Sequence, residues 1–159
     1  MQQKGFRTIQ KSNVISLLSD FNPVLAGTLP LDLFIEGSDL DIICFAHDLS
    51  SFEEFCEREF RHYSNFNIRR NIINEIPGVI VNFTFENFPF ELFAQGIPTE
   101  KQNSFLHLKM EYEILQQKGS LFREKILDLK KKGIKTEPAF AQLLRLQGDP
   151  YTALLSYRI

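Results

Sequence analysis

The chain of 159 residues has no tryptophan, two cysteines and no apolar run approaching the roughly 18 residues of a membrane-spanning helix. That last absence excludes a helical membrane protein. The segment from Met1 to Lys11 is polar and lacks an apolar secretory core, so no signal peptide is expected. Cys44 and Cys56 follow neither a zinc-ligand spacing nor a disulfide framework, and they read as reduced thiols of a cytoplasmic protein. A basic excess is missing too: 18 Lys and Arg face 20 Asp and Glu, for a net charge of −2. Such a balance argues against the broad basic face that extended nucleic acid requires and leaves room only for a local basic site.

What the chain has in plenty is phenylalanine, 16 residues against 4 Tyr. Phe fills a core without needing a polar partner, and many of these residues lie between Phe66 and Phe93. The length suits one ordinary domain, expected to take in 1–159. Ile9 to Phe21 predicts a helix, ended by Asn22-Pro23 because the residue before proline avoids the helical region. A short apolar run, Val24-Leu25-Ala26, stops at Gly27-Thr28. Leu29 to Gly37 carries Pro30, Asp32 and Glu36 and has no clear period. Ser38 to Ala46 predicts a strand that becomes wholly apolar, hence central and buried. Ser50-Ser51-Phe52-Glu53 reads as a capping box opening a helix to about Tyr63.

Three strands follow at Asn67 to Glu75, Val79 to Phe85 and Phe88 to Gln95, with hairpin connections at Pro77-Gly78 and Glu86-Asn87. The middle strand alternates, which predicts one buried face. After Gly96 four helices are expected: Gln102 to Lys118, Ser120 to Lys132, Glu137 to Leu146 and Pro150 to Tyr157. Gly119, Gly133 and Gly148 punctuate them. The fold class is α/β (α+β): a mixed, mostly antiparallel sheet with flanking helices over 1–97, then a helical region over 98–159.

Asp39 and Asp41 stand one residue apart, so on a strand they share a face. Two adjacent negative charges repel unless a cation sits between them, and hard carboxylate oxygens suit Mg²⁺. The plain alternative is a capping or edge feature with no metal. Gly27-Thr28 adds weight to the metal reading, since a glycine lets backbone approach a phosphate and a Thr hydroxyl can donate to it. Glu91, between Phe90 and Leu92, is a costly acid in an apolar strand, or else it points to solvent from an edge. Three such acids can hold metal ions, and one can take a proton from an attacking hydroxyl. His107, with Glu111 one helical turn on, either orients a substrate or packs. His47 and His62 read as structural. Lys130-Lys131-Lys132 reads as a solvated helix C-terminus, where cations favour the dipole. Thr136 is expected as an N-cap, and Gly148-Asp149-Pro150 as a turn into the last helix.

The spacing of these residues resembles the nucleotidyltransferase superfamily, which includes DNA polymerase beta-like and aminoglycoside nucleotidyltransferase enzymes. Ala26-Gly27-Thr28 is followed by ten residues, then by Asp39-Leu40-Asp41-Ile42, and later by Phe90-Glu91-Leu92. The whole chain also resembles the uncharacterised bacterial family called domain of unknown function 4269. That likeness rests on Pro23 to Pro30, Ser38 to Cys44, Gln102-Asn103 with His107, Lys135 to Phe140 and Gly148 to Tyr151. The resemblance implies the fold, a metal and a nucleotide, not a substrate; the first hypothesis built on it is a Mg²⁺-dependent nucleotidyl transfer from a nucleoside triphosphate to a small-molecule or protein hydroxyl. In that scheme Asp39, Asp41 and Glu91 bind metal and carry catalysis, and Gly27, Thr28 and Ser38 meet the nucleotide. The sequence departs from the superfamily in lacking an Arg after the glycine turn, where it has Leu29-Pro30-Leu31-Asp32. Arg69, Arg70 or Lys101 would have to supply the positive charge. The same departure suits a different class, a catalytically silent module that binds a nucleotide or a partner, including an antitoxin-like role.

Overall fold

A computed structural model describes residues 1–73 and 75–158. Its five strands are β1 (Val24–Leu25), β2 (Leu40–Phe45), β3 (Ser64–Ile73), β4 (Ile76–Phe85) and β5 (Phe88–Gln95). They form one sheet in the order β1-β2-β5-β4-β3, antiparallel throughout except for the parallel pair β2 and β5. The helices are α1 (Gln2–Ser12), α2 (Val14–Leu17), α3 (Leu49–Phe60), α4 (Asn103–Lys118), α5 (Ser120–Lys131), α6 (Thr136–Leu144) and α7 (Pro150–Leu155). No helix among the described residues is long and apolar enough to cross a membrane.

The expected α/β class with a mixed sheet and a helical C-terminal region is the observed one. Several boundaries differ, each for a local reason. The first helix begins earlier and breaks at Asn13, whose left-handed φ of 53° ends α1 and starts α2. The third helix is capped by Asp48, not Ser50: the Asp48 carboxylate accepts from the Ser50 amide at 3.0 Å and from the Ser51 hydroxyl at 2.6 Å. Pro77 and Gly78 are inside β4, and Glu75 takes the left-handed turn conformation instead (φ 64°). Pro77 pairs with Ile72 of β3 but lies before the β5 ladder, which begins at Gly78, so the strand has a single neighbour at that position, as at a sheet edge where proline is found. The Glu86-Asn87 hairpin is as expected, with positive φ at both residues (47° and 67°). Thr136 opens α6 as its first helical residue, and Lys135 holds the cap position.

The two faces of the sheet have different tasks. Leu40, Ile42 and Cys44 of β2, Val79, Val81 and Phe83 of β4, and Phe90 and Leu92 of β5 point into one core with α3. Phe60, Phe83 and Phe90 stack in sequence there, with centroids 5.0 and 4.9 Å apart. Both cysteines are buried and free. A second apolar cluster joins the C-terminal helices through Ile114, Leu115, Ile126, Phe140 and Leu154. The stretch between Gly27 and Asp39, patternless in sequence, serves both: Leu29 and Phe34 pack in the first cluster, Leu31 and Leu33 in the second.

Candidate functional site

Strand alternation turns Asp41 and Ile43 of β2, Glu91 and Phe93 of β5, and Ile80 and Asn82 of β4 away from the first core. Register then arranges them in two rows. Asp41 pairs with Glu91 and Glu91 with Asn82; Ile43 pairs with Phe93 and Phe93 with Ile80. These rows, apart from Asn82, floor a cavity of about 680 Å³ whose opposite wall comes from α4, α6 and α7 and includes His107, Glu111, Glu137 and Tyr151. An acid on β2 and an acid fifty residues later on β5 thus become neighbours through a parallel pairing.

Gly27 lines the same cavity, with φ at 63°. The β1 ladder holds this turn over β2, where the Ala26 amide donates to the Asp41 carbonyl at 2.9 Å. A Cβ at position 27 would lie 2.7 Å from Asp41 Cγ, and closer still to a carboxylate oxygen. Only glycine leaves room for that carboxylate.

The carboxylates feel one another. Burial, together with the charges of Glu91 and Asp39, pushes the Asp41 carboxyl up to about 7. Asp39, one residue before β2, is raised by burial and by Glu91. Glu91 itself is held sideways: its Oε2 accepts from Asn82 Nδ2 at 3.2 Å and lies 3.9 Å from the Arg69 guanidinium. Among the described residues, no three His, Cys, Asp or Glu side chains stand close enough to form a metal cage.

The other expected residues divide. Arg69 belongs to the site's edge, donating to Asn82 Oδ1 at 2.6 Å and facing Glu91. Arg70 turns to the far side, where it binds Glu53 at 2.7 and 2.9 Å and Ser50 at 2.9 Å. Lys101 is exposed in a 3₁₀ turn (Thr99–Lys101) and does not line the cavity. The Ser38 hydroxyl accepts from the Ile35 amide at 3.2 Å, closing the loop before β2. The Thr28 hydroxyl is buried without a protein partner and lies outside the cavity lining. His107 lines the cavity, 93% buried, with Nδ1 unpartnered, and burial pulls its pKa down against the pull of Glu137 and Asp149.

Two residues, Lys130 and Glu137, escaped the sequence reading, and a third, Glu111, was singled out there only as the partner of His107. Lys130 is no solvated tail. It is half-buried, donates to Thr136 Oγ1 at 3.1 Å, and has its pKa lowered by burial despite Glu111, Glu137 and Asp41. It also acts on Asp41, where its charge opposes the upward shift. Glu111 is buried, with its pKa raised well above the ordinary value by burial and by Glu137. Glu137 stands in the first turn of α6 and also lines the cavity. No local signal marks Lys130 or Glu137, because only the packing of α4, α5 and α6 brings them near Asp41.

The fold is nucleotidyltransferase-like. The chain superposes on Cid1 poly(U) polymerase bound to Mg 3′-dATP with a TM-score of 0.60 at 11% identity, over 96% of this chain and 47% of that one. The polymerase core of TRAMP, an RNA surveillance complex, gives 0.52 at 16% identity, over 96% and 46%. The GLD-2/RNP-8 complex gives 0.58 at 11% identity, over 91% and 56%. The chain spans about half the length of these solved chains, and at such identities the likeness establishes the fold alone. No curated protein matches by sequence. The family model described as Domain of unknown function (DUF4269) matches residues 7–157, and the chain belongs to that family.

Proposed function

We propose that this protein, taken as one domain over 1–159, is a Mg²⁺-dependent nucleotidyltransferase acting on a hydroxyl of a small molecule or protein. The observation that carries the reading is the row Asp41–Glu91 beneath the Gly27 turn, inside a fold shared with nucleotidyltransferases. Asp39, Asp41 and Glu91 would hold the metal. The donor set fits a hard cation: the charge of Glu91 raises the cost of ionising both Asp39 and Asp41, and Lys130 offsets this for Asp41 only in part. When bound, Mg²⁺ supplies neutralisation of the phosphate charge.

The residues of the chain do the rest. The Gly27-Thr28 turn, with Ser38 closing the loop behind it, brings backbone close to the β- and γ-phosphates. Glu91 accepts the proton of the acceptor hydroxyl, whose oxygen attacks the α-phosphorus as pyrophosphate leaves. Arg69 or Lys130 supplies the cation that is missing after the turn; His107 orients the acceptor. The reduced, buried thiols fit a cytoplasmic setting, and the absence of a basic excess favours a small acceptor over extended nucleic acid.

A second reading has its own support. Glu91 is already engaged by Asn82 and Arg69, as in a silent module that binds a nucleotide or a partner without turning it over. Incubation with labelled nucleoside triphosphates, Mg²⁺ and cell extract separates the two. The native protein is expected to label an acceptor and Asp41→Ala to leave it unlabelled. Equal labelling by both defeats the transferase reading.

A further inference from the structure

Asn82 is the single polar residue in the run Val79-Ile80-Val81-Asn82-Phe83 of β4. Asparagine is depleted in strands, so an amide kept at this position calls for a reason. Strand alternation turns it away from the Phe-rich core, and register sets it beside Glu91 in the row that ends on Asp41. Arg69 reaches the same amide from β3. It pairs with Ile80, so Asn82, two residues on, lies diagonally opposite and within reach of a long side chain. Arg69 donates to Asn82 Oδ1 at 2.6 Å, and Asn82 Nδ2 donates to Glu91 Oε2 at 3.2 Å. The guanidinium itself stands 3.9 Å from that same Oε2.

The chemistry of these groups gives the contacts a direction. A guanidinium can only donate and an ionised carboxylate can only accept, so one orientation of the amide serves both neighbours. Arg69 thereby decides which end of Asn82 meets Glu91. The direct ion pair adds little, because it is long and its side chains are 50% and 35% exposed. The bonds through the amide are shorter, and each has an ionised partner. Both contacts to Glu91 fall on Oε2, and Oε1 takes part in neither. Glu91 lines the cavity, whereas Asn82 and Arg69 do not. Their route to whatever enters runs through Glu91.

We propose that Asn82, oriented by Arg69, is a positioning residue for Glu91: it holds Oε2 in place and so presents Oε1 to the acceptor hydroxyl. The assignment rests on the nucleotidyl-transfer reading, which gives Glu91 its task. Engagement of Glu91 by its neighbours is then preparation for the reaction and not a mark of silence. Arg69 in this scheme serves the carboxylate and not the phosphates.

The test joins a spectrum to a rate, both on the full chain. In nuclear magnetic resonance spectra without metal or nucleotide, the side-chain amide signals of Asn82 are expected to move in Arg69→Ala and again in Glu91→Gln. An amide signal indifferent to either change overturns the proposal. Single-turnover labelling with nucleoside triphosphates, Mg²⁺ and cell extract supplies the second readout. Asn82→Asp keeps the acceptor for Arg69 but sets an acceptor against Glu91, and is expected to lower the saturating rate at least tenfold. The triphosphate concentration at half-saturation should change less than twofold. Arg69→Ala, at an exposed position, is expected to show the same split and keeps the test open where Asn82→Asp does not fold. The double variant Arg69→Ala/Asn82→Ala should be no slower than Asn82→Ala alone, since both act along one path. Additive losses, or a raised half-saturation with an unchanged rate in Arg69→Ala, overturn the proposal. A fall in melting temperature with an unchanged rate in Asn82→Ala does so too, as it would mark a role confined to joining β3 to β4. The two readings fail separately. Transfer with an amide signal that ignores Arg69 sinks the positioning role alone, and a responsive signal with no transfer from any triphosphate sinks the reaction.

Discussion

The carboxylate of Asp41 fills the space that a side chain at Gly27 would need. The turn and the acid, fourteen positions apart in sequence, are fitted to each other atom against atom. Gly27→Ala therefore adds a left-handed residue with a Cβ and a clash with Asp41 Cγ at 2.7 Å. It is expected to lower stability by about 2–4 kcal/mol, seen as a fall in the denaturant midpoint, and to abolish labelled transfer.

Asp41 also makes the metal-free protein sensitive to pH. Its folded pKa is about 7, against 3.8 as the ordinary value. Between these two the folded state binds more protons than the unfolded chain, so stability falls as pH rises through the window. The part lost by pH 8 is on the order of 2–4 kcal/mol and returns below the unfolded value. Melting curves at pH 5 and pH 8 should show the native protein losing stability relative to Asp41→Asn. Addition of Mg²⁺ should restore more at pH 8 than at pH 5.

Gln102 is wholly buried, and its Nε2 donates to the carbonyls of Cys44 at 2.7 Å and Ile97 at 3.2 Å. It ties the end of β2 to the entrance of α4. Gln102→Leu leaves those carbonyls without a donor and is expected to cost about 1–3 kcal/mol in urea unfolding. Hydrogen exchange at the start of α4 should rise with it.

Arg69 and Arg70 are neighbours in sequence with opposite expected fates. Arg70→Ala removes an exposed contact with Glu53 and should leave both melting temperature and transfer unchanged. Arg69→Ala frees Asn82 and Glu91 and should alter transfer at least fivefold without changing the melting temperature. A difference between the two variants in a single-turnover assay checks this.

The fold class and most elements were legible because their signals are local. Asn87 announced the hairpin, glycines separated the C-terminal helices, and period two announced β4. The Pro77-Gly78 turn was misplaced because both residues are built into the start of β4, opposite Ile72 and Asn71 of β3, and the reversal falls before them, with Glu75 left-handed. The acids were legible by spacing, yet the sequence could not foresee that Asn82 and Arg69 hold Glu91 to one side. Glu137 and Lys130 were illegible for a deeper reason. Nothing on their own helices distinguishes them, and their chemistry arises only where three helices meet above the sheet.

The ten residues between Thr28 and Asp39 matter beyond their count. Leu29 and Phe34 are anchored under the sheet, while Leu31 and Leu33 are anchored among the helices. The spacer is therefore sewn into both halves of the molecule, with the glycine turn at one end and the first acid at the other. Any sliding of the helices across the sheet tugs on both ends together. The spacer is thus a tendon between the two apolar clusters, with the glycine turn and the first acid tied at its ends.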